Sequence, residues 1–367
     1  MTDGPRFHWY LPTHGDTTAI ADNRGSSAAK AESHLQPSLQ NLTALGRTAE
    51  DLGFEAVLTP TGSHCEDSWI ATAALAQHTR RLKYLVAFRP GVLSPTLAAQ
   101  QVSTYQRFTG NRLALNIVTG GDNDEMRRYG DSVDKSARYR RTGEFLSVVR
   151  GVWTNPEFSY RGEFYDVENA RTAYPLEQLP TIYFGGSSPE AMEVAAEHAD
   201  VYLTWTEPPE QVAGKIARVR AAAERRGRTL RFGIRLHTVA RPTREEAWQQ
   251  AQRLIAGLSA ADVRRAHDRY VASASEGQRR MAALTTGDLV DARSLEVYPG
   301  LWAGPSLLRD GAGTAAVGSY DDVAALFDEY RRLGVSEFIL SGYPQADEIR
   351  HVGTGVLPHF AHTHAWA

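Results

Sequence analysis

The chain has a single cysteine in 367 residues, Cys65, so it can build neither an intrachain disulfide framework nor a cysteine-rich metal site. It has no long block of one charge sign. Its 40 Lys and Arg stand against 43 Asp and Glu, for a net charge of −3, which argues against a dedicated nucleic-acid binder with its basic stripe. No apolar run approaches the roughly 18 residues of a membrane span. The opening residues run straight into Phe7-His8-Trp9-Tyr10-Leu11-Pro12 without a signal-peptide pattern, so a cytoplasmic protein is expected. There is no His-Glu-x-x-His helix, and His359, His362 and His364 read as a loose tail, so no metal is expected. What is present is 42% hydrophobic and 23% charged residues, an ordinary globular composition that excludes disorder for the bulk of the chain.

Eight short β-rich runs punctuate the chain, at 7–11, 55–59, 82–88, 113–118, 181–184, 201–204, 232–239 and 337–340. Between them lie stretches with apolar residues at helical spacing, such as 39–52, 69–76 and 323–333, and glycines stop two of these at Gly53 and Gly334. Strands alternating with helices predict parallel βαβ units. Eight of them in one chain of this size predict a single-domain (β/α)8 TIM barrel over 1–367. Two stretches break the rhythm. Residues 154–180 carry alternating aromatics around Arg161-Gly162 and read as an inserted hairpin. Residues 255–316 are too long for a barrel loop and end in Asp310-Gly-Ala-Gly-Thr314, so they read as an insertion serving as a mobile lid.

In such a barrel the C-terminal ends of the strands converge on one site. Read in order, those ends carry His14 and Asp16, then Cys65 and Glu66, Arg89, Asn116 and Thr119, Gly185 to Ser188, Trp205, Arg235 and His237, and Ser341 to Tyr343. Strand periodicity puts Arg235 and His237 on one face and Leu236 on the other. With Ile234 and Leu236 against the helices, the Arg and His enter the lumen. A buried guanidinium has to meet an anion or a carboxylate, so the alternatives are a site for an anionic ligand or an internal ion pair, for example with Asp16 or Glu66. The run Phe184-Gly-Gly-Ser-Ser-Pro-Glu190 reads as strand, tight turn and helix start, with Ser188 as N-cap and Pro189 at the first helical position. Glycines beside a helix N-terminus make a cradle for a phosphate, although the same letters also make an ordinary capped helix. On its residues alone, Cys65 reads as a packed small side chain, and Gly311-Ala-Gly313 follows no strand and is not a dinucleotide loop.

The strand-end segments carry a family resemblance. Leu11-Pro-Thr-His-Gly-Asp16, Pro60-Thr-Gly-Ser-His-Cys-Glu-Asp67, Val86-Ala-Phe-Arg-Pro90, Asn116-Ile-Val-Thr-Gly120 and Tyr183-Phe-Gly-Gly-Ser-Ser188 resemble the flavin-dependent alkanesulfonate monooxygenases of the bacterial-luciferase-like group. So do Leu203-Thr-Trp-Thr-Glu-Pro-Pro209, Gly233-Ile-Arg-Leu-His237, Leu301-Trp-Ala-Gly304 and Leu340-Ser-Gly-Tyr-Pro344. The resemblance implies a two-component system. A separate NAD(P)H:FMN reductase supplies reduced FMN, which is used with O2 to cleave a C–S bond and give sulfite and an aldehyde. It implies flavin contacts at Asn116, Thr119, Tyr139, Gly185, Gly186, Ser187 and Ser188. It implies an active-site set of His14, Cys65, Trp205, Arg235, His237, Arg309 and Tyr343, with Arg309 delivered by the lid, and a homodimer or homotetramer. The chain departs from the pattern at Gln345, where that group commonly has His, and in the loop 17–35. Sulfoquinovose monooxygenases are similar as well, so a sulfonated sugar is an alternative substrate. More distant alternatives are a deazaflavin-dependent dehydrogenase, which would consume no O2, and a non-catalytic flavin-binding barrel.

Overall fold

The computed structural model describes residues 4–18, 20 and 35–363. Most of the 17–35 loop lies outside them, as do His364 and the side chain of His362. The chain begins β1 (Arg6–Tyr10), α1 (Leu39–Asp51), β2 (Ala56–Thr59), α2 (Ser68–Leu75), β3 (Lys83–Phe88), α3 (Pro95–Thr109) and β4 (Leu113–Ile117). Two helices, α4 (Asn123–Arg128) and α5 (Lys135–Thr154), lead to a hairpin of β5 (Phe158–Arg161) and β6 (Asp166–Ala170). The alternation resumes with β7 (Thr181–Gly185), α6 (Pro189–His198), β8 (Val201–Trp205), α7 (Pro209–Glu224), β9 (Arg231–Arg241) and α8 (Arg244–Ile255). Then come α9 (Ala260–Val271), α10 (Glu276–Ala282), β10 (Glu296–Tyr298), β11 (Leu301–Trp302) and β12 (Ala315–Ser319). The last elements are α11 (Tyr320–Arg332), β13 (Val335–Ser341) and α12 (Gln345–His351).

Strands β1, β2, β3, β4, β7, β8, β9 and β13 pair in parallel in that order, and β13 returns to β1. This is a closed (β/α)8 barrel, and its eight strands fall where the eight β-rich runs stand. Period-two alternation decides which side chains go where. Phe7 and Trp9 of β1, with Leu11 just beyond it, join the apolar layer between strands and helices, while His8 and Tyr10 point into the lumen. The lumen's middle is apolar, with Leu58, Leu85, Ala114, Leu203 and Ile339 packed beside Tyr10. Toward the N-terminal ends it is polar. The Glu337 carboxylate accepts from Tyr183 Oη at 3.0 Å, lies 2.7 Å from His8 Nε2, and pairs with Arg231. A carboxylate that deeply buried has to be partnered in this way.

The two irregular stretches take distinct forms. The β5–β6 hairpin lies on α5, where the Glu144 carboxylate accepts the amide N–H groups of Glu163, Phe164 and Tyr165 at 2.7, 2.9 and 3.2 Å. Residues 255–316 fold into a wing with its own apolar core, in which Val263, Tyr270, Leu295, Trp302 and Leu307 pack with Trp248 and Leu254 of α8. The wing is joined to the barrel by β12, which pairs in parallel with the last five residues of β9. The sequence shows no sign of β12. That pairing makes β9 eleven residues long, longer than the 232–239 run.

Candidate active site

Arg235 is in register with Trp205 of β8 on one side and Ile339 of β13 on the other. Ile234 and Leu236 pack outward, so the guanidinium enters the lumen. Its Cζ lies 5.0 Å from the centre of the Tyr10 ring, and Nη1 donates to the Leu236 carbonyl at 2.7 Å. Arg309 approaches the same ring from the wing, with Cζ at 5.9 Å from the centroid, and donates to Tyr343 Oη at 3.0 Å. Among the described residues neither arginine meets a carboxylate. Asp16 accepts from the backbone N–H groups of Gln345 and Ala346 at 2.8 and 3.1 Å, and Glu66 is exposed. The internal ion pair with either is therefore not formed. Burial, with Arg309 beside it, pushes Arg235 below its usual range. Burial also works against the charge on Arg309, but the phenols of Tyr343 and Tyr10 outweigh it and hold its pKa up. Two like charges thus lie over one aromatic ring, one on a barrel strand and one on the wing.

The remaining members of the predicted set surround this pair. His237 is buried and stacks on Tyr343 at a centroid separation of 5.2 Å, with Nδ1 2.7 Å from Ser341 Oγ. Burial, then Arg309 and Arg235, hold it well below the ordinary histidine range, so it is neutral. His14 lies 3.4 Å from Tyr10 Oη through Nδ1, and burial, then Arg309 and His64, lower it to about 3. The Cys65 thiol, half-buried, is pushed up to about 12, chiefly by burial, and is not a thiolate at neutral pH. Trp205 is walled in by the wing. A methyl group on Gly277 would lie 3.0 Å from its ring, and one on Gly311 3.8 Å.

A second cluster occupies the neighbouring sector of the rim. Gly186 has φ +150, and a Cβ there would come within 2.5 Å of Ala191 Cβ and 3.6 Å of Tyr139 Oη. A Cβ on Gly185 would lie 3.0 Å from the Leu203 carbonyl oxygen. Ser188 caps α6 by accepting from Ala191 N–H at 3.3 Å, with Pro189 next in line. Tyr202 Oη donates to the Gly186 carbonyl at 2.6 Å, which fixes the turn from below. Burial raises the Tyr139 phenol, while Ser188 beside it pulls the other way. Asn116 is half-buried on β4 and Thr119 Oγ1 lies 3.4 Å from Thr142 Oγ1. Small residues, two serine hydroxyls and the first turn of a helix form a donor set without a cation, which suits the phosphate end of a cofactor.

Tyr10 is the residue that the sequence reading missed, although its ring lies beside both guanidiniums. It sits two positions beyond His8, and the same alternation that singles out Arg235 would have found it. Ser341, in register with His237, was noted only as a strand end. Arg89, also noted there, is engaged by the Glu125 carboxylate at 2.7 Å, both being buried.

The C-terminal rim of the closed barrel thus sets a glycine-serine turn at a helix start beside an arginine pair. The chain belongs to the luciferase-like monooxygenase family, whose sequence model matches residues 6–337, and the family's flavin-dependent oxidoreductases set its class. Solved structures share the fold at low identity. A riboflavin lyase, determined with modified FMN and riboflavin, has 17% identity and a TM-score of 0.79 over 98% of this chain and 92% of its own. The EDTA monooxygenase from Chelativorans sp. BNC1 has 18% identity and a TM-score of 0.76 over 99% and 95%. A long-chain alkane monooxygenase has 17% identity and a TM-score of 0.77 over 99% and 92%. Among the described residues no helix is long and apolar enough to cross a membrane, and no group of three or more His, Cys, Asp or Glu is placed to hold a metal ion.

Proposed function

We propose that this chain is a monooxygenase that uses reduced FMN and O2 to cleave the C–S bond of an organosulfonate. The observation that carries this reading is the pair of buried Arg235 and half-buried Arg309 over the Tyr10 ring, with no carboxylate on either among the described residues. A sulfonate keeps its full charge at neutral pH, and guanidinium forks match its planar faces of oxygen. Tyr343, already oriented by Arg309, and neutral His237 add hydrogen-bond donors. Gly185 to Ser188, Tyr139, Asn116 and Thr119 would hold the flavin, with its phosphate at the start of α6. Reduced FMN, made by a separate NAD(P)H:FMN reductase, supplies the oxygen chemistry when bound. Trp205 and the wing exclude water above the arginines. One oxygen atom of O2 becomes the aldehyde oxygen and the other leaves as water, while the sulfonate sulfur departs as sulfite.

A sulfonated sugar such as sulfoquinovose is the second reading, by the same chemistry. It is favoured by the polar groups around the rim, where His64, Glu66 and Asp310 are exposed. A sulfite-release assay with added reductase, across alkanesulfonates and sulfosugars, tests both. FMN binding without sulfite from any of them would leave a non-catalytic flavin barrel, and turnover without O2 uptake would point to a deazaflavin dehydrogenase. At least a dimer is expected. The resemblance to the alkanesulfonate monooxygenases is what implies it. Light scattering at micromolar concentration checks this, and a stable monomer would contradict it.

A further inference from the structure

Glu207 follows β8 and is fully buried. Its charge is already balanced within the barrel by Lys215 of α7, whose Nζ also donates to Thr204 Oγ1 at 2.9 Å. A second cation nevertheless reaches it. Arg280 of α10 donates from Nε to Glu207 Oε1 at 2.6 Å and from Nη2 to Gln211 Oε1 at 3.2 Å. Lys215 meets Oε2 and Arg280 meets Oε1, so the buried carboxylate is partnered on both oxygens and α10 is fastened to the barrel through it.

The position of α10 suggests a role for that anchor. Two residues before Arg280, the buried Gln278 accepts the Gly311 N–H through Oε1 at 2.9 Å. Gly311 is two residues beyond Arg309 and has φ +98, a conformation that glycine tolerates without strain. The half-buried Arg309 shares the Tyr10 ring with Arg235, so the two guanidiniums repel, and a hold on the turn that carries Arg309 adds to its Tyr343 hydrogen bond in keeping it there. We propose that Arg280 is a positioning residue for Arg309. Docked on Glu207, it fixes α10, and through Gln278 and Gly311 it holds Arg309 against Tyr10 and Tyr343. The effect on ligand rests on the anion-seat reading above, whereas the link itself does not.

The test uses the full-length chain with 1-octanesulfonate as probe. Calorimetric titrations compare the wild type with Arg280→Ala, Arg280→Lys, Arg309→Ala and the Arg280→Ala/Arg309→Ala pair, and hydrogen exchange is followed over residues 305–313. Arg280→Ala is expected to speed exchange at Gly311 and to weaken probe binding at least about tenfold. Added to Arg309→Ala it is expected to cause no further loss, since both changes act through one group. Arg280→Lys keeps one donor toward Glu207 and is expected to recover part of the binding. Gln278→Ala cuts the same link at its other end, reproduces the effect, and serves should Arg280→Ala not fold. Unchanged exchange overturns the link whatever the ligand. Faster exchange with binding losses that add to those of Arg309→Ala overturns the positioning role. Wild-type binding by Arg309→Ala overturns the anion seat instead, and the exchange result then decides the link alone.

Discussion

Arg235 and Arg309 reach the same aromatic ring from different parts of the chain, one from a barrel strand and one from the wing. On the proposed function, replacing either with Ala would remove a charge-assisted hydrogen bond to the sulfonate, about 1.5–3 kcal/mol, so sulfite production is expected to fall at least tenfold in each variant. Full activity in both would remove the sulfonate clamp. The buried histidines give a second expectation. Burial, ahead of neighbouring cations, lowers His14 to about 3 and His198 to about 4, from an ordinary 6.5. Below 6.5 the unfolded chain takes up protons that the folded one refuses, so unfolding free energy falls as pH drops from 6.5 toward 4. Between pH 7 and 8 these groups contribute no slope. Denaturant titrations across that range would show it, and a flat profile below 6.5 would contradict the buried, neutral state. At this scale the sequence was readable where parity decides, as at Arg235-Leu236-His237. It was not readable where a partner lies far off. Asp16 had been a candidate partner for Arg235, but it caps α12 from 329 residues away, and no local pattern shows that.

Among the elements, the eight barrel strands announce themselves because β-branched and aromatic residues stand between helix-stop signals. β12 does not. Ala315-Ala-Val-Gly-Ser319 has little strand propensity, and it forms only because the far half of β9 offers it a partner. The glycines before it had suggested a flexible end to 255–316. Since Leu301, Trp302, Leu307, Leu308 and Ala312 of that stretch are buried, movement on ligand binding is expected to be confined to the 309–311 turn. Limited proteolysis with and without reduced FMN and substrate measures this. Protection restricted to that turn is the expected result, and equal digestion in both states would remove the closing role.

The molecule as a whole is a barrel with two clusters on one rim, and that division predicts what it binds. The cradle at β7 and α6 is the proposed seat of a phosphate, and Gly311-Ala-Gly313 does not read as a dinucleotide loop. On the family resemblance, the purified chain is expected to bind reduced FMN more tightly than oxidised FMN, and nicotinamide not at all. Anaerobic fluorescence titration measures both, and tight NADPH binding without a reductase would overturn the two-component scheme. The overall fold was legible from alternation and length. The wing's packing was not, because its apolar core is shared with α8 and belongs to no single periodic stretch.

Below the arginines, the apolar middle of the lumen and the Glu337 cluster with His8, Tyr183 and Arg231 plug the far end of the barrel. Among the described residues that leaves the C-terminal rim as the side from which a ligand approaches, and on the proposed reading traffic there has an order. Were the substrate an organosulfonate, as proposed, it would back in with its charged end leading and its tail nearest the exit. After cleavage the aldehyde would stand between sulfite and the outside and depart first. Sulfite, held by two guanidiniums, would be the last to go. Added sulfite should then compete with incoming substrate for the innermost seat, whereas added aldehyde should not.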